Sequence, residues 1–306
     1  MKRRSFLAAT AAALAVPPWR GRQTARTRLI LLGTGGGPRP KKDRRSAAQV
    51  VIVDDQLYVV DCGDGVASQL AQAGLSLAKL RHVFITHHHS DHNADYGNLL
   101  LLAWGSGLTT RVDTWGPPPI AQITRSFWEM SAYDMDVRIK DEGQQPLVPL
   151  IHVHELNGPG AVMKDPHVTV TSALVVHPLV TPAYAYRFDT ADRSIVISGD
   201  TAPSDNLIAL ARGADVLVHE AMYLPAVERI AARFPHATSL KKHLLDSHTT
   251  AEDCGRVAAA AGVKTLVLSH FVPSDDPQVT EQMWLEAART HFGGRIIVGK
   301  DLMEIT

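Results

Sequence analysis

The heptapeptide THHHSDH at residues 86–92 decides the fold of this chain. It follows directly on an apolar run that predicts a β-strand, so we expect these side chains in a loop at a strand end. His87 and His89 are two positions apart and can converge on one metal ion, whereas Asp91 and His92 can serve a second ion close by. Imidazole and carboxylate ligands without thiolate favour Zn²⁺, with Mn²⁺ or Fe as alternatives. The motif therefore predicts a site for two divalent metal ions.

Three more candidate ligands, His177, Asp200 and His270, follow apolar runs elsewhere in the chain. The strands predicted before them are Val168–Val176, Ser194–Ser198 and Thr265–Ser269. Functional groups gather at strand ends in parallel and mixed sheets, because the loops there reach solvent. Together with residues 86–92, these three side chains complete a ligand set for two ions.

The remainder of the chain alternates between predicted strands and helices. Its 306 residues are 45% hydrophobic and 20% charged, a globular composition. A first strand is predicted at Arg28–Gly33, and a helix follows the three prolines before residue 120 and runs through Met130. Another helix is predicted at Thr250–Ala261, where Thr250 and Asp253 form a capping box. We expect one α/β domain over residues 28–306.

Residues 1–15 have the pattern of an export signal. Arg3-Arg4 precede a short apolar run that ends at Pro17-Pro18, and Ala13-Leu14-Ala15 offers a cleavage site. The run is too short to cross a bilayer, which takes about 20 apolar residues. The paired arginines indicate a twin-arginine signal. We therefore expect a periplasmic or secreted protein without a membrane span.

Four further motifs carry a resemblance to a known family. They are Leu32–Gly37 (LGTGGG), Asp61–Gly65 (DCGDG), His219-Glu220-Ala221 and His248-Thr249-Thr250. With residues 86–92 and in this order, they resemble the metallo-β-lactamase superfamily, and within it the ribonuclease Z and arylsulfatase branch. Met222 departs from the pattern, since Thr is usual after the HEA motif. The resemblance implies an αββα sandwich, in which two mixed β-sheets are flanked by helices.

The resemblance also implies how the ligands divide between two metal ions. The first ion would be held by His87, His89 and His177, the second by Asp91, His92 and His270, and Asp200 would bridge them. A hydroxide between the ions would attack the substrate, and Asp91 would accept a proton from it. His248 would act as the leaving-group acid or oxyanion stabiliser, and Glu220 would orient it and raise its pKa.

The predicted substrate is a small anionic ester, either a phosphodiester or an aryl sulfate. Ribonuclease Z grips tRNA with a long basic arm, yet only 22 residues separate His177 from Asp200. The 31 basic and 31 acidic side chains balance, which does not indicate a polyanionic partner. Export also separates the protein from tRNA. We therefore expect no nucleic-acid partner and a possible homodimer, with specificity set by Gly105–Pro166, which includes Trp115, Trp128 and Tyr133.

Three alternatives remain open. A lactonase or β-lactamase shares the fold, although Asp200 argues against the classical β-lactamases. A ribonuclease Z-like tRNA 3′-endonuclease is disfavoured by the missing arm. A non-enzymatic periplasmic metal- or ligand-binding protein is disfavoured because no ligand is missing. Cys62 and Cys254 have no ligand-like spacing, and the remaining histidines, His243 among them, are expected to be structural or surface residues.

Overall fold

The computed structural model describes residues 27–306, and its strands form two seven-stranded mixed sheets. Within this range the strands are β1 Arg28–Gly33, β2 Ala48–Val53, β3 Gln56–Val60, β4 Leu80–Phe84, β5 Val112–Gly116, β6 Ile151–Glu155, β7 Gly160–Lys164, β8 Val168–Leu174, β9 Tyr184–Thr190, β10 Ser194–Ile197, β11 Val216–Met222, β12 Thr265–Val272, β13 Arg295–Val298 and β14 Met303–Ile305. The strand order is β14-β1-β2-β3-β4-β5-β6 in the first sheet and β13-β12-β11-β10-β9-β8-β7 in the second.

Helices cover the outer faces of the two sheets. They are α1 Val66–Gln72, α2 Ser90–Asn93, α3 Tyr96–Gly105, α4 Ile120–Asp141, α5 Asp205–Ala211, α6 Val227–Ala232, α7 Leu240–Ser247, α8 Ala251–Ala261 and α9 Glu281–Arg289, with short 3-10 turns at Leu77–Lys79, Val148–Leu150 and Leu224–Ala226. None of the helices in residues 27–306 is both long and apolar enough to cross a membrane. The predicted αββα sandwich is confirmed by this arrangement of sheets and helices.

Strand β1 shows how the sequence allows a sheet to be buried on both of its faces. Leu29 and Leu31 pack into the core between the sheets, whereas Ile30 and Leu32 pack into the core under the helices of the first sheet. Successive side chains of a strand point to opposite faces, so a strand covered on both sides needs a continuous apolar run. The run from Leu29 to Leu32 meets that requirement.

Aromatic rings fill the core between the two sheets. Phe84 of β4 lies 5.5 Å from the Tyr186 ring and 5.3 Å from the Phe188 ring, both on β9. These edge and tilted contacts are favoured by the ring quadrupoles and add to the gain from burial. They fix the end of β4, and the histidine-rich loop begins three residues beyond Phe84. The core thereby positions the candidate site.

Helix α8 confirms the predicted N-cap and the terminal glycine, but the return bond of the predicted capping box is absent because Asp253 Oδ2 accepts from the Thr250 hydroxyl, and α4 is longer than predicted. Thr250 accepts a hydrogen bond from the backbone N–H of Asp253, and Gly262 ends the helix with a φ of 64°. Helix α4 was expected to end at Met130 but continues to Asp141. Ion pairs between residues four apart, such as Asp134–Arg138, support its second half. The first glycine that follows the start of the helix is Gly143, two residues beyond its end.

Strand bounds differ from prediction at the candidate ligands. Strand β8 ends at Leu174, so His177 lies in the following loop rather than directly after the strand. Strand β12 was expected to end at Ser269 but continues through His270 to Val272, with a bulge opposite β11. The predicted signal at residues 1–15 lies outside the described residues and stays a prediction.

Candidate metal centre

The structure brings the seven predicted metal ligands together at one end of the sandwich. The first sheet supplies its ligands from the segment after β4, and the second sheet supplies its ligands from the loops after β8 and β10 and from the last part of β12. From the first sheet come His87, His89, Asp91 and His92, and from the second come His177, Asp200 and His270. All are buried except His89, which is half-buried.

The ligand atoms form two groups that share Asp200. In the first group Asp200 is joined by His87, His89 and His177, and in the second by Asp91, His92 and His270. Within each group the ligand atoms lie within 4.8 Å of one another. This grouping agrees with the division between two ions that the resemblance implied.

Asp200 turns one carboxylate oxygen toward each group. Its Oδ2 atom lies 3.9 Å from His87 Nε2 and 4.0 Å from His177 Nε2. Its Oδ1 atom lies 3.2 Å from His92 Nε2 and 3.3 Å from His270 Nε2. A carboxylate in this position can donate one oxygen to each of two ions.

The unsatisfied polar atoms of the site fit metal ions. His87 Nε2, His92 Nε2, His177 Nε2 and Asp200 Oδ1 are buried and have no hydrogen-bond partner. A buried polar atom left unpaired costs about 1–3 kcal/mol. Nitrogen and oxygen donors that converge without partners are suited to divalent cations of the Zn²⁺ type. The residues therefore fit two divalent ions.

The electrostatics of the site prepare its side chains for metal binding. Burial lowers the pKa of His87 well below its usual range and that of His177 to about 4, so both imidazoles are neutral. Burial raises the pKa of Asp200, but His270 and His92 lower it by more, and it stays ionised. Burial also opposes protonation of His92, yet the surrounding carboxylates, Asp200 foremost, raise its pKa well above the usual value. An ion that binds His92 therefore displaces a proton.

Asp61 orients the ligand His92 directly and the ligand His87 through Thr86, a role that the sequence reasoning missed. Its Oδ2 atom is 2.8 Å from His92 Nδ1 and accepts a hydrogen bond from the Thr86 hydroxyl at 2.9 Å. Its Oδ1 atom accepts from the Thr86 backbone N–H at 2.8 Å. Carboxylates behind metal-binding histidines fix the ring and its tautomer. In the sequence, the DCGDG motif that contains Asp61 indicates only a turn.

The glycine-rich loop after β1 holds the other side of the site. Gly37 donates its backbone N–H to Asp91 Oδ2 at 2.7 Å. A Cβ atom on Gly36 would come within 2.8 Å of the His270 ring, so only glycine fits there. His270 itself has a φ of 45°, a left-handed conformation that costs a non-glycine residue about 1–3 kcal/mol. Backbone pairing of Phe271 with Thr34 and Gly36 holds it in place.

His248 and Glu220 form the pair that the resemblance implied. His248 Nδ1 lies 3.2 Å from Glu220 Oε1, which also accepts hydrogen bonds from the backbone N–H groups of Thr201 and Thr249. The same His248 nitrogen is 4.0 Å from Asp200 Oδ2. Burial opposes protonation of His248, but Glu220 raises its pKa by more, to about 9. The roles of this pair remain predictions.

A further histidine at the site, His243 of α7, was not predicted there. Its ring centre lies 5.8 Å from that of His89 and 5.7 Å from those of His177 and His248. It was expected to be structural or on the surface, and no local sequence signal distinguishes it. Its position depends on how α7 packs above the site.

A cavity of about 390 Å³ opens from the metal site. Its base, here called the metal floor, is formed by Asp91, Asp200, His248 and His270. One side, here called the apolar wall, is formed by Ile230, Phe234, Leu240, Leu244, Val272 and Pro273. Within residues 27–306, the cavity lining includes no residue of the Gly105–Pro166 segment, so this segment forms no wall of the cavity, and its role in specificity stays a prediction. Trp115 instead stacks on His154, and Tyr133 is 83% exposed on α4.

Comparisons with known proteins agree with this geometry. The sequence model of the beta-lactamase superfamily domain matches residues 57–271. The ribonuclease Z of Mycobacterium bovis (strain BCG / Pasteur 1173P2) is 35% identical over 280 residues, which cover 90% of this chain and 97% of the relative. This chain belongs to the metallo-β-lactamase superfamily, in its ribonuclease Z branch. The ribonuclease Z of Mycobacterium tuberculosis (strain H37Rv) is 34% identical with the same coverage. The chain is thus a metal-dependent hydrolase of this superfamily.

Solved structures of the superfamily share the fold of this member. The short form of human tRNase Z superposes with a TM-score of 0.68 at 20% identity, covering 91% of this chain and 98% of that one. The metallo-β-lactamase-fold protein YhfI of Bacillus subtilis gives 0.67 at 21% identity, with the same coverage. At these identities the likeness supports the fold alone.

The expected export stays a prediction, but the expected function, hydrolysis of a small anionic ester, is wrong. So is the expectation of a small-molecule partner in place of a nucleic acid. Both are overturned by relatives named ribonuclease Z that align along almost their whole length. The absence of a long arm misled the prediction. The alignment with the Mycobacterium bovis relative has 280 positions and covers 90% of this chain and 97% of that relative, so the relative has no long insertion either.

The charge argument failed because net charge is an average over the chain. Residues 39–45 carry five basic side chains and one acidic side chain. This segment, here called the basic loop, begins at the rim of the cavity with Arg39. Lys42 and Arg45 are exposed within it. A balanced total therefore coexists with a local excess of basic side chains next to the metal site, although Arg39 and Arg45 are paired with Asp275 and Asp64.

Proposed function

We propose that this chain is a zinc-dependent endoribonuclease that hydrolyses a phosphodiester bond at the 3′ side of precursor tRNA. The observation that carries the proposal is 35% identity with a protein named ribonuclease Z over 97% of that protein's length. The short form of human tRNase Z, whose name includes the substrate, shares the fold over nearly its whole chain.

The metal floor supplies the chemistry that a phosphodiester requires. Six ligands and the bridging Asp200 would hold two ions, and the donor set of imidazole and carboxylate favours Zn²⁺. When bound, the ions would activate a water molecule and neutralise the charge of the phosphate. The backbone N–H of Gly37 donates a hydrogen bond to Asp91 Oδ2. This bond fixes the carboxylate of Asp91 in the metal floor, where it can take up a proton.

His248 is placed to assist the leaving group. Glu220 holds the Nδ1 atom, so Nε2 is the ring nitrogen left to donate a proton to the oxygen that departs from phosphorus. Since Nδ1 lies 4.0 Å from Asp200 Oδ2, the imidazole is within reach of a phosphate bound on the floor. Three hydrogen bonds to one Glu220 oxygen make that carboxylate a rigid support.

The basic loop supports an RNA substrate. Arg44 is held inside the protein by the carbonyl of Gly299 and lies over the Phe271 ring, so its role is structural. Lys41 donates to the carbonyl of Gly37, whereas Lys42 is exposed and has no partner among the described residues, which leaves it available for a phosphate. Positive side chains beside the cavity attract a polyanion and hold its backbone without reading its sequence.

Cleavage of a 3′-extended precursor tRNA by the full, zinc-loaded chain tests the proposal. We expect one cut near the end of the acceptor stem, loss of cleavage after chelation, and recovery on adding Zn²⁺. A linear RNA of shuffled sequence should be cut at least about tenfold more slowly. A protein that holds two ions per chain and leaves the precursor intact would overturn the proposal.

The predicted export signal is a separate proposal about where the enzyme works, and export would separate the enzyme from the precursor tRNA of the cytoplasm. We propose that Arg3-Arg4 direct export through the twin-arginine route. Replacing both arginines by lysine should retain the protein in the cytoplasm, as measured by cell fractionation. An unchanged distribution would refute the signal without affecting the enzymatic proposal.

A further inference from the structure

The apolar wall is not explained by metal binding or by contact with a phosphate backbone. Its six side chains come from α6, α7, the segment between these helices and the end of β12. They border the same cavity as the metal floor, so a group next to a phosphate bound on the floor can contact this wall. Sugars and phosphates are polar, whereas the wall offers aliphatic and aromatic carbon. The flanking group that it fits is therefore planar and weakly polar.

Two residues of the cavity are suited to stacking. The Arg39 guanidinium lies over the Phe234 ring, 5.0 Å from its centre, and both residues line the cavity. Asp275 holds Arg39 in that position at 3.3 Å. Nucleobases in single strands stack on aromatic rings and on arginine planes, and this stacking does not depend on base identity. The pair therefore offers two flat groups to a base.

The size of the cavity limits the occupant to one nucleotide. Its volume of about 390 Å³ lies at the lower end of the range for small-molecule sites, roughly 300–1,000 Å³. A base-paired stem is much wider than such a cavity, so the occupant must be unpaired. An unpaired nucleotide beside the scissile phosphate meets both conditions.

We propose that the apolar wall, with Phe234 and Arg39, is a subsite for one unpaired nucleobase next to the scissile phosphate. The proposal rests on the proposed RNA substrate and names how that substrate is held. Phe234 and Arg39 contribute to substrate affinity, while the metal floor performs the chemistry. The subsite takes any of the four bases, because stacking does not read hydrogen-bonding edges.

Binding of two phosphate monoesters tests the subsite without turnover. AMP and ribose 5-phosphate present the same phosphate and sugar to the zinc-loaded full chain, and only AMP has a base. By calorimetry we expect AMP to bind about tenfold more tightly, and Phe234→Ala to abolish that advantage. Ribose 5-phosphate should bind both proteins equally, and Phe234→Trp should retain the preference for AMP.

Two further variants keep the test independent of folding. Arg39 is 44% exposed, so Arg39→Ala should leave the fold intact and reduce the AMP advantage about threefold. Tyr133→Ala removes an aromatic ring that is 83% exposed on α4 and should change nothing. Melting curves of all variants identify any that fail to fold.

The outcomes separate this subsite from the proposed function. Equal binding of AMP and ribose 5-phosphate to the wild type would overturn the subsite, even if precursor tRNA is cut. An AMP advantage that survives both Phe234→Ala and Arg39→Ala would also overturn it. An AMP advantage that depends on Phe234, in a protein that does not cut RNA, would support the subsite and refute the proposed function.

Discussion

The metal floor and the apolar wall enclose one cavity but are held in different ways. The four residues of the floor are at most 6% exposed, and buried hydrogen bonds such as Glu220–His248 fix their angles. The wall is built on the short helices α6 and α7 and is held by a small apolar cluster around Met222 and Val227. Chemistry requires fixed distances, whereas stacking requires mainly area. Substitutions on the two sides should therefore change different quantities.

The largest effect should come from the centre of the floor. Asp200→Ala removes the one carboxylate shared by both ligand groups, so at least one ion per chain should be lost. RNA cleavage should fall by about 10³-fold or more, because both the activated water and the charge neutralisation depend on the ions. Metal content by mass spectrometry and cleavage rates check this. Asp134→Ala on the surface of α4 is the matched control, and two ions retained by Asp200→Ala would rule out the bridging role.

His248→Ala should separate metal binding from catalysis. The two ligand groups that share Asp200 are complete without His248, although His248 also lies within ligand distance of His177 and His270, so we expect both ions to remain. The value of kcat should fall about 10²–10⁴-fold, the usual contribution of a general acid. KM should change little, since the wall is intact. Unchanged kcat in the zinc-loaded variant would remove His248 from the mechanism.

Glu220→Gln should have a smaller effect on the same step. Glutamine keeps an oxygen for the N–H groups of Thr201 and Thr249 but removes the charge that faces His248. We expect kcat to fall about tenfold, equivalent to roughly 1.4 kcal/mol, with both ions bound. Glu252→Gln, at a side chain on the outer side of α8 that is 46% exposed, makes the same chemical change away from the site. An equal loss in the two variants would contradict a specific role for Glu220.

The smallest effect should come from the wall. Leu240→Ala removes part of a half-buried side chain that lines the cavity, so KM for RNA should rise about threefold while kcat is unchanged. Leu245→Ala, on the same helix, removes a 43% exposed side chain outside the lining and should leave KM unchanged. A fall in kcat with constant KM in Leu240→Ala would show that the wall does more than hold substrate.

The metal ligands were largely predictable because most of them occur in short local motifs. Four ligands lie within residues 86–92, and Asp200 and His270 follow apolar runs that could only be strands. Asp61 was missed in its role because a carboxylate in a turn gives no sign of which side chain it faces. That contact, from Asp61 to His92, joins two loops of the first sheet and needs the folded sheet to become visible.

The wall was not predictable because nothing in it is chemically unusual. Phe234 and Leu240 are ordinary helix-flanking residues, and the turn of α6 and α7 toward the cavity depends on how they pack against Val272. His243 illustrates the same difficulty within one helix. The substrate class was misjudged for a related reason. Total charge is a sum over the whole chain and the length of one loop describes that loop alone, whereas recognition depends on where Arg39 and its neighbours lie.

Each ligand group draws on both sheets, with two side chains from the segment after β4 and two from the second sheet, Asp200 included. Full coordination is therefore available only after the two halves of the sandwich have docked. The rate at which a refolding chain captures zinc thus measures the closing of the sandwich, and an ion once bound ties its two halves together.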